Sequence, residues 1–253
     1  MTVQEIYNHL SQIIPESLSE PWDNDGLMCS ADTGAEVHRA LVALDVTEDV
    51  VDYAISSGMD LIVSHHPLIF KPISSITEDY HIARKVIKLI QNNISVISLH
   101  TRADKVEGGV NDILAEMLGI KNTEPFGEGG LGRIGTLEEE LTMEDFSYLV
   151  KGLLDCDSVR VADAYIPVSR VAVVGGDGKD FVRDALALGA DTYVTGRLSY
   201  NVMEEAVEMG INLIEAGHFF TEQPVTAFFQ SLLNRLDHSM YIEVISSNNI
   251  RAI

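Results

Sequence analysis

The sequence predicts an α/β protein made of two related three-layer α/β domains, and three features carry that expectation. Apolar runs alternate with capped, amphipathic stretches, the pattern of a largely parallel sheet covered by helices on both faces. One β-α-β segment recurs without gaps 131 residues further on, as an internal duplication. Between the copies, Glu124 to Gly135 contains Pro125, Gly127, Gly129, Gly130, Gly132 and Gly135, the densest punctuation in the chain. This stretch sets an N-terminal domain at 1–125 and a C-terminal domain at 126–253.

In chain order, Thr2 caps a first helix, with Val3, Ile6, Leu10, Ile13 and Ile14 near helical spacing and a stop at Pro15. Trp22-Asp23-Asn24-Asp25-Gly26-Leu27 is turn-rich and holds the only tryptophan. It reads either as a loop anchored by a buried aromatic or as a segment beside a site. Ala40 to Leu44 is a buried strand by composition. Thr47-Glu48-Asp49 then caps a helix through Val50, Val51, Ala54 and Ile55, which Gly58 ends. Leu61-Ile62-Val63 is the next strand. A helix from about Asp79 to Ile90 leads into the strand Ile94 to Leu99, which ends at His100. Thr101 to Asp104 reads as a loop, and Gly108-Gly109 introduces a helix from Val110 to Leu118, closed by Gly119. Thr142 to Asp145 carries a capping-box-like pattern before a helix ending near Leu154, and Ser158 to Ala162 is a short strand.

The duplication is specific. Arg39–Pro67 laid over Arg170–Leu198 gives eight identities, among them Asp49/Asp180, Gly58/Gly189 and Asp60/Asp191. The copies diverge where chemistry is expected. Leu44-Asp45-Val46-Thr47 faces Gly175-Gly176-Asp177-Gly178, a Gly-rich loop that reads as a tight turn, with anion binding as the weaker alternative. His65-His66 faces Gly196-Arg197. Further on, His100 with Asp104 is echoed by His218 with Glu222, each set following an apolar strand. The C-terminal ends of parallel strands are where open α/β sheets bind ligands.

The bulk numbers exclude several classes. Seventeen Lys and Arg against 39 Asp and Glu give a formal charge of −22, which opposes binding to nucleic-acid backbones. Cys29 and Cys156 are far apart and show no metal-binding spacing, which fits a reducing compartment. The start of the chain lacks the features of a signal peptide, and no apolar run approaches the ~20 residues of a membrane span. A cytoplasmic protein without membrane contact is expected.

Val63-Ser64-His65-His66-Pro67 is the strongest chemical signal. Neighbouring side chains on a strand point to opposite faces, so two histidines can serve one cluster only if the chain bends there, as Pro67 favours. Divergent imidazoles suit two metals better than one. With Asp104, His218 and Glu222 they form a nitrogen–oxygen set free of thiolate, suited to two divalent cations such as Zn, Mn, Fe, Co or Ni. His100 reads either as a further ligand or as a hydrogen-bond partner that orients one. His9, His38, His81 and His238 read as surface histidines.

These residues carry a resemblance that runs in order over essentially the whole chain. Trp22-Asp23-Asn24-Asp25-Gly26-Leu27, Ser64-His65-His66-Pro67, His100-Thr101 with Asp104, Gly108-Gly109-Val110-Asn111-Asp112, Gly130-Leu131-Gly132-Arg133-Ile134-Gly135 and Gly217-His218 with Thr221-Glu222 resemble the NIF-three-like family. Its members are often labelled GTP cyclohydrolase I type 2 homologues. The resemblance implies paired α/β domains, a dinuclear metal site in the cleft between them, and a toroidal homohexamer. It also implies His65, His66, Asp104, His218 and Glu222 as metal ligands, with Glu222 bridging. Gly196-Arg197-Leu198-Ser199-Tyr200 departs from the family, which usually has an acidic residue and a histidine there. Arg102 stands where asparagine is common.

The function expected is that of a metal-dependent hydrolase acting on a nucleotide or related small molecule, with metal-bound water as the reacting group. Arg197, Arg133 or the Gly175–Gly178 loop would receive an anionic group. The alternative is a non-catalytic metal-binding ring, serving as metallochaperone or protein-interaction scaffold.

Overall fold

The computed structural model describes residues 1–250. Helix α1 (Val3–Ile13) begins with a capping box: the Thr2 side chain accepts from the Glu5 N–H and the Glu5 carboxylate accepts from the Thr2 N–H. Such a cap contributes about 1 kcal/mol. Strands β1 (Gly26–Cys29) and β2 (Arg39–Ala43), helix α2 (Glu48–Ser56) and strand β3 (Leu61–Ser64) follow. Helix α3 (His81–Gln91), strand β4 (Ser95–Ser98) and a five-residue helix α4 (Thr101–Lys105) complete this stretch. β2, β3 and β4 are parallel and β1 pairs antiparallel with β4. β3 and β4 are buried along their whole length, as expected of a parallel sheet covered on both faces. The loop expected at 101–104 is thus α4, too short for any apolar period to reveal it.

Next come α5 (Val110–Met117), β5 (Lys121–Phe126), β6 (Gly132–Leu141), α6 (Met143–Leu153), β7 (Arg160–Ala162) and β8 (Val168–Val174). After these follow α7 (Val182–Ala187), β9 (Thr192–Thr195), α8 (Tyr200–Met209), β10 (Asn212–Glu215) and α9 (His218–Glu222). Their sheet runs β5-β6-β8-β9-β10-β7, parallel only over β8, β9 and β10. Helix α10 (Val225–Leu236) and β11 (Tyr241–Val244) close the chain, and β11 adds in parallel to the free side of β2, making a first sheet β1-β4-β3-β2-β11. The protein is therefore a mixed α/β fold with two sheets.

The compact units differ from the expected division at 125/126. One comprises Met1–Val106 with Val225–Asn249; the other is built on Glu107–Pro224. The Gly/Pro-rich segment is no linker: it is the β5–β6 hairpin, whose glycines let strands and side chains approach closely. At Gly132 a Cβ would collide with the Phe126 ring, and at Gly135 with the backbone of Lys121. The C-terminal helix and strand return to the first unit because β2 would otherwise be an open parallel edge. Residues 251–253 of the expected C-terminal domain lie outside the described residues. Among the described residues no helix is long and apolar enough to cross a membrane.

The duplication appears in the hydrogen bonds. Asp60 accepts from the N–H groups of His38 and Arg39 at 2.8 and 2.9 Å, and Asp191 accepts from those of Ser169 and Arg170 at 3.0 and 2.7 Å. Both carboxylates fasten the first residues of the strand at its side, β2 in one copy and β8 in the other. Gly58 and Gly189 both take positive φ, 63° and 81°, where an L side chain is disfavoured. The shared Gly-x-Asp is thus a turn residue plus a strand clamp.

Candidate metal centre

β3 ends at Ser64 and the chain bends at His65 and His66, as two neighbouring histidines facing one cluster require. Their ring centroids lie 5.0 Å apart. His65 is fully buried and its Nδ1 lies 3.0 Å from the Leu99 carbonyl. A carbonyl can only accept, so Nδ1 carries the proton and Nε2 presents its lone pair. That Nε2 is 3.5 Å from Oδ1 of Asp104. Two ligands of one tetrahedral ion, each bonded at ~2.1 Å, stand about 3.4 Å apart, so the spacing suits a shared cation.

His66 is oriented by Asp45, whose Oδ1 lies 2.7 Å from Nδ1. Asp45 is held in turn by Ser247, whose hydroxyl donates to Oδ2 and accepts from the Asp45 N–H, both at 3.1 Å. His100 is set by Asp23, 2.8 Å from its Nδ1. One ring nitrogen from each of His65, His66 and His100 lies within 4.8 Å of the others, a group that could hold a metal ion. Each Nδ1 is tied to a carbonyl or carboxylate, the outer support that metal-ligating histidines have. The donor set therefore fits a divalent cation.

Asp23 is the anchor of this corner. Burial alone would push its carboxyl up, but the hydrogen bond and charge of His100, with two bonds from Thr101, hold it well below the usual carboxylate range. Burial would push His100 down, yet the Asp23 hydrogen bond and the nearby Asp104 charge leave it raised. Asp25 accepts from the His100 N–H at 3.1 Å and from Arg102 Nε at 3.0 Å. Arg102 is fully buried, with Nη1 donating to the Ile14 carbonyl at 3.3 Å. It braces the segment bearing His100.

In the second unit, His218 and Glu222 sit one turn apart on α9, with Nε2 and Oε2 at 2.9 Å. Glu222 is buried and His218 partly exposed. Gly217 precedes them at φ 87°, and the Gly176 N–H donates to Thr221 Oγ1 at 3.1 Å. The duplication explains the glycines opposite Asp45 and His65. A Cβ on Gly176 would collide with Glu222, and one on Gly196 would lie 2.7 Å from the Cα of His218. One copy keeps Asp45 and His65; the other is emptied so that α9 fits.

Several expectations need correction. The echo of His100/Asp104 in His218/Glu222 is one residue out of register, because α4 and α9 are equivalent helices and His100 precedes α4 while His218 opens α9. Accordingly His100 pairs with Asp23 and Asp104 approaches His65. Arg133 is buried, ion-paired with Asp112 and bonded to the Gly130 and Gly132 carbonyls, so it is occupied structurally. The N–H groups of Gly175, Gly176 and Gly178 donate to Asn111, Thr221 and Thr195 at 2.8, 3.1 and 3.1 Å, which makes the loop a tight turn. Arg197 and Tyr200 are exposed. Trp22 is not buried and stands beside His100. Asp23 and Asp25 lie in the segment read as a possible neighbour of a site, but their partners, like those of Asp45 and Ser247, were not read from the sequence, since each acts on a residue far along the chain.

Fold and donor groups together define an α/β protein with histidine–carboxylate sets suited to a metal ion. A family model described as Duf34/NIF3 (NGG1p interacting factor 3) matches residues 1–252, and the chain belongs to that family. It is 40% identical over 232 residues to a protein of Clostridium perfringens named GTP cyclohydrolase 1 type 2 homolog, covering 89% of this chain and 88% of the relative. A protein of the same name from Clostridium acetobutylicum is 37% identical, covering 99% and 97%. Among solved structures, a Bacillus cereus protein related to NIF3 superposes with a TM-score of 0.89 at 26% identity, covering 100% of this chain and 99% of that one.

Proposed function

We propose that this protein is a metal-dependent hydrolase of a nucleotide or related small molecule. His65, His66, Asp104, His218 and Glu222 are the residues that would hold its two divalent ions. The observation that carries the reading is the tethering of the two adjacent imidazoles of His65 and His66 at Nδ1 by Leu99 and Asp45. A side chain so fixed binds a cation without further ordering. Bound divalent ions would supply Lewis acidity and lower the pKa of water at the site. His100, backed by Asp23, is the group of this chain suited to hold or pass a proton at Nε2. The hydrolytic ring opening implied by the relatives' name is one reaction of this class. Assembly as a cytoplasmic homohexamer belongs to the same proposal.

One observation favours a non-catalytic metal carrier or scaffold instead: Arg133, the buried cation expected to receive an anionic substrate, is locked by Asp112. The readings separate on turnover. The metal-loaded protein is screened against nucleotides and phosphoesters, with His66→Ala beside it. Hydrolysis that disappears in the variant supports the hydrolase; turnover unchanged in the variant rules it out, and no turnover with metal bound favours the carrier.

A further inference from the structure

Two large aromatic side chains beside the histidines are left in solvent. Trp22 is 63% exposed and Phe70 42%, with ring centroids 6.2 Å apart. His100 lies 6.4 Å from Trp22 and 6.1 Å from Phe70, and 5.3 and 5.6 Å from His65 and His66. The rings form a continuous row from solvent to the candidate ligands. Their backbones are fixed although the rings are not covered. Asp23, next to Trp22, is buried under His100 and Thr101, and its N–H donates to the Glu20 carbonyl at 3.0 Å. The Asn24 amide donates to the Ile69 carbonyl and so ties the Trp22 segment to the one bearing Phe70, which buried Leu68 anchors.

We propose that Trp22 and Phe70 form a stacking shelf for the planar heteroaromatic ring of a small ligand whose polar end reaches His65, His66 and His100. The inference rests on the metal-centre reading and names its substrate class. The Trp22 and Phe70 planes stand 72° apart, so a flat ring stacks on the face of one and meets the other at its edge, and the fixed backbones keep the ordering cost small. A bare phosphate gains nothing from such a shelf, and a sugar, which offers C–H groups in place of a flat π-face, gains less than a planar ring. The row ends at the imidazoles, so a ring stacked on it directs its substituents at the groups that would hold the metal.

The chain has a single tryptophan, so its intrinsic fluorescence reports on the shelf directly. The metal-loaded protein is titrated with adenosine and, separately, with ribose. Adenosine is expected to quench Trp22 saturably while ribose leaves it unchanged. Phe70→Ala should weaken adenosine binding by about 10-fold, the scale of a lost base–aromatic contact, with metal content as in the wild type. Trp22→Ala, followed by equilibrium dialysis, should weaken it similarly. Absence of saturable quenching, an equal response to ribose, or full affinity in both variants overturns the shelf. Metal content measured on the same samples separates the readings: quenching without bound metal defeats the metal centre alone, and bound metal without quenching defeats the shelf alone.

Discussion

Gly176 leaves the space that the Glu222 carboxylate fills: a Cβ there would collide with Oε1 and lie 3.1 Å from Nε2 of His218. The same position in the first copy is Asp45, which orients His66. A duplicated loop thus supports a candidate ligand by adding a carboxylate in one copy and by removing a side chain in the other.

Gly176→Ala is expected to disturb His218 and Glu222 and weaken metal binding by at least about 10-fold, with a stability loss of ~1–3 kcal/mol from its φ of 68°. Gly189→Ala is the control. It shares a positive φ, 81°, but a Cβ there meets open space, so stability falls by about 1 kcal/mol and metal affinity stays. Urea denaturation and chelator competition measure both.

Asp45→Ala should lower metal affinity by ~10–100-fold by releasing His66, and Ser247→Ala should produce a smaller loss in the same direction. Equal affinities in wild type and Asp45→Ala would show that His66 needs no such support.

Asp23 predicts an acid limb in stability. Its folded pKa is depressed, so its contribution is present above the unfolded value of about 4 and is lost as pH falls through the folded value. His100 is raised, so its part is present below about 6.5 and is lost as pH rises through its folded value. Metal-free Asp23→Asn should therefore be less stable by roughly 3 kcal/mol near pH 5–6, and the gap should close toward strong acid. Urea midpoints from pH 2 to 8 would reveal it; a constant gap would contradict the assignment.

Asp60→Ala and Asp191→Ala should each cost ~1–3 kcal/mol, because each leaves two strand N–H groups without their carboxylate. Denaturation of the two variants should show losses of similar size, as expected of equivalent clamps.

Much of this was legible in the sequence because it is local or periodic. Thr2, Thr47 and Thr142 cap their helices as their spacing suggests, and His65-His66-Pro67 reads as a strand end that bends. What was missed is non-local. Asp45 meets Ser247 across 202 residues and Asp23 meets His100 across 77, and neither pair has a spacing rule. The Gly-rich segment misled because glycine that lets strands approach looks, in one dimension, like glycine that links domains. The C-terminal return of β11 to β2 is likewise invisible until the open edge is seen.

The central claim is tested most directly by metal content per chain in the purified protein, measured beside Asp104→Ala and Glu222→Ala. The account predicts about two divalent ions in the wild type, the number a two-metal site holds, and a clear loss in each variant. A wild type that binds none after loading, or variants that retain the full complement, would contradict it.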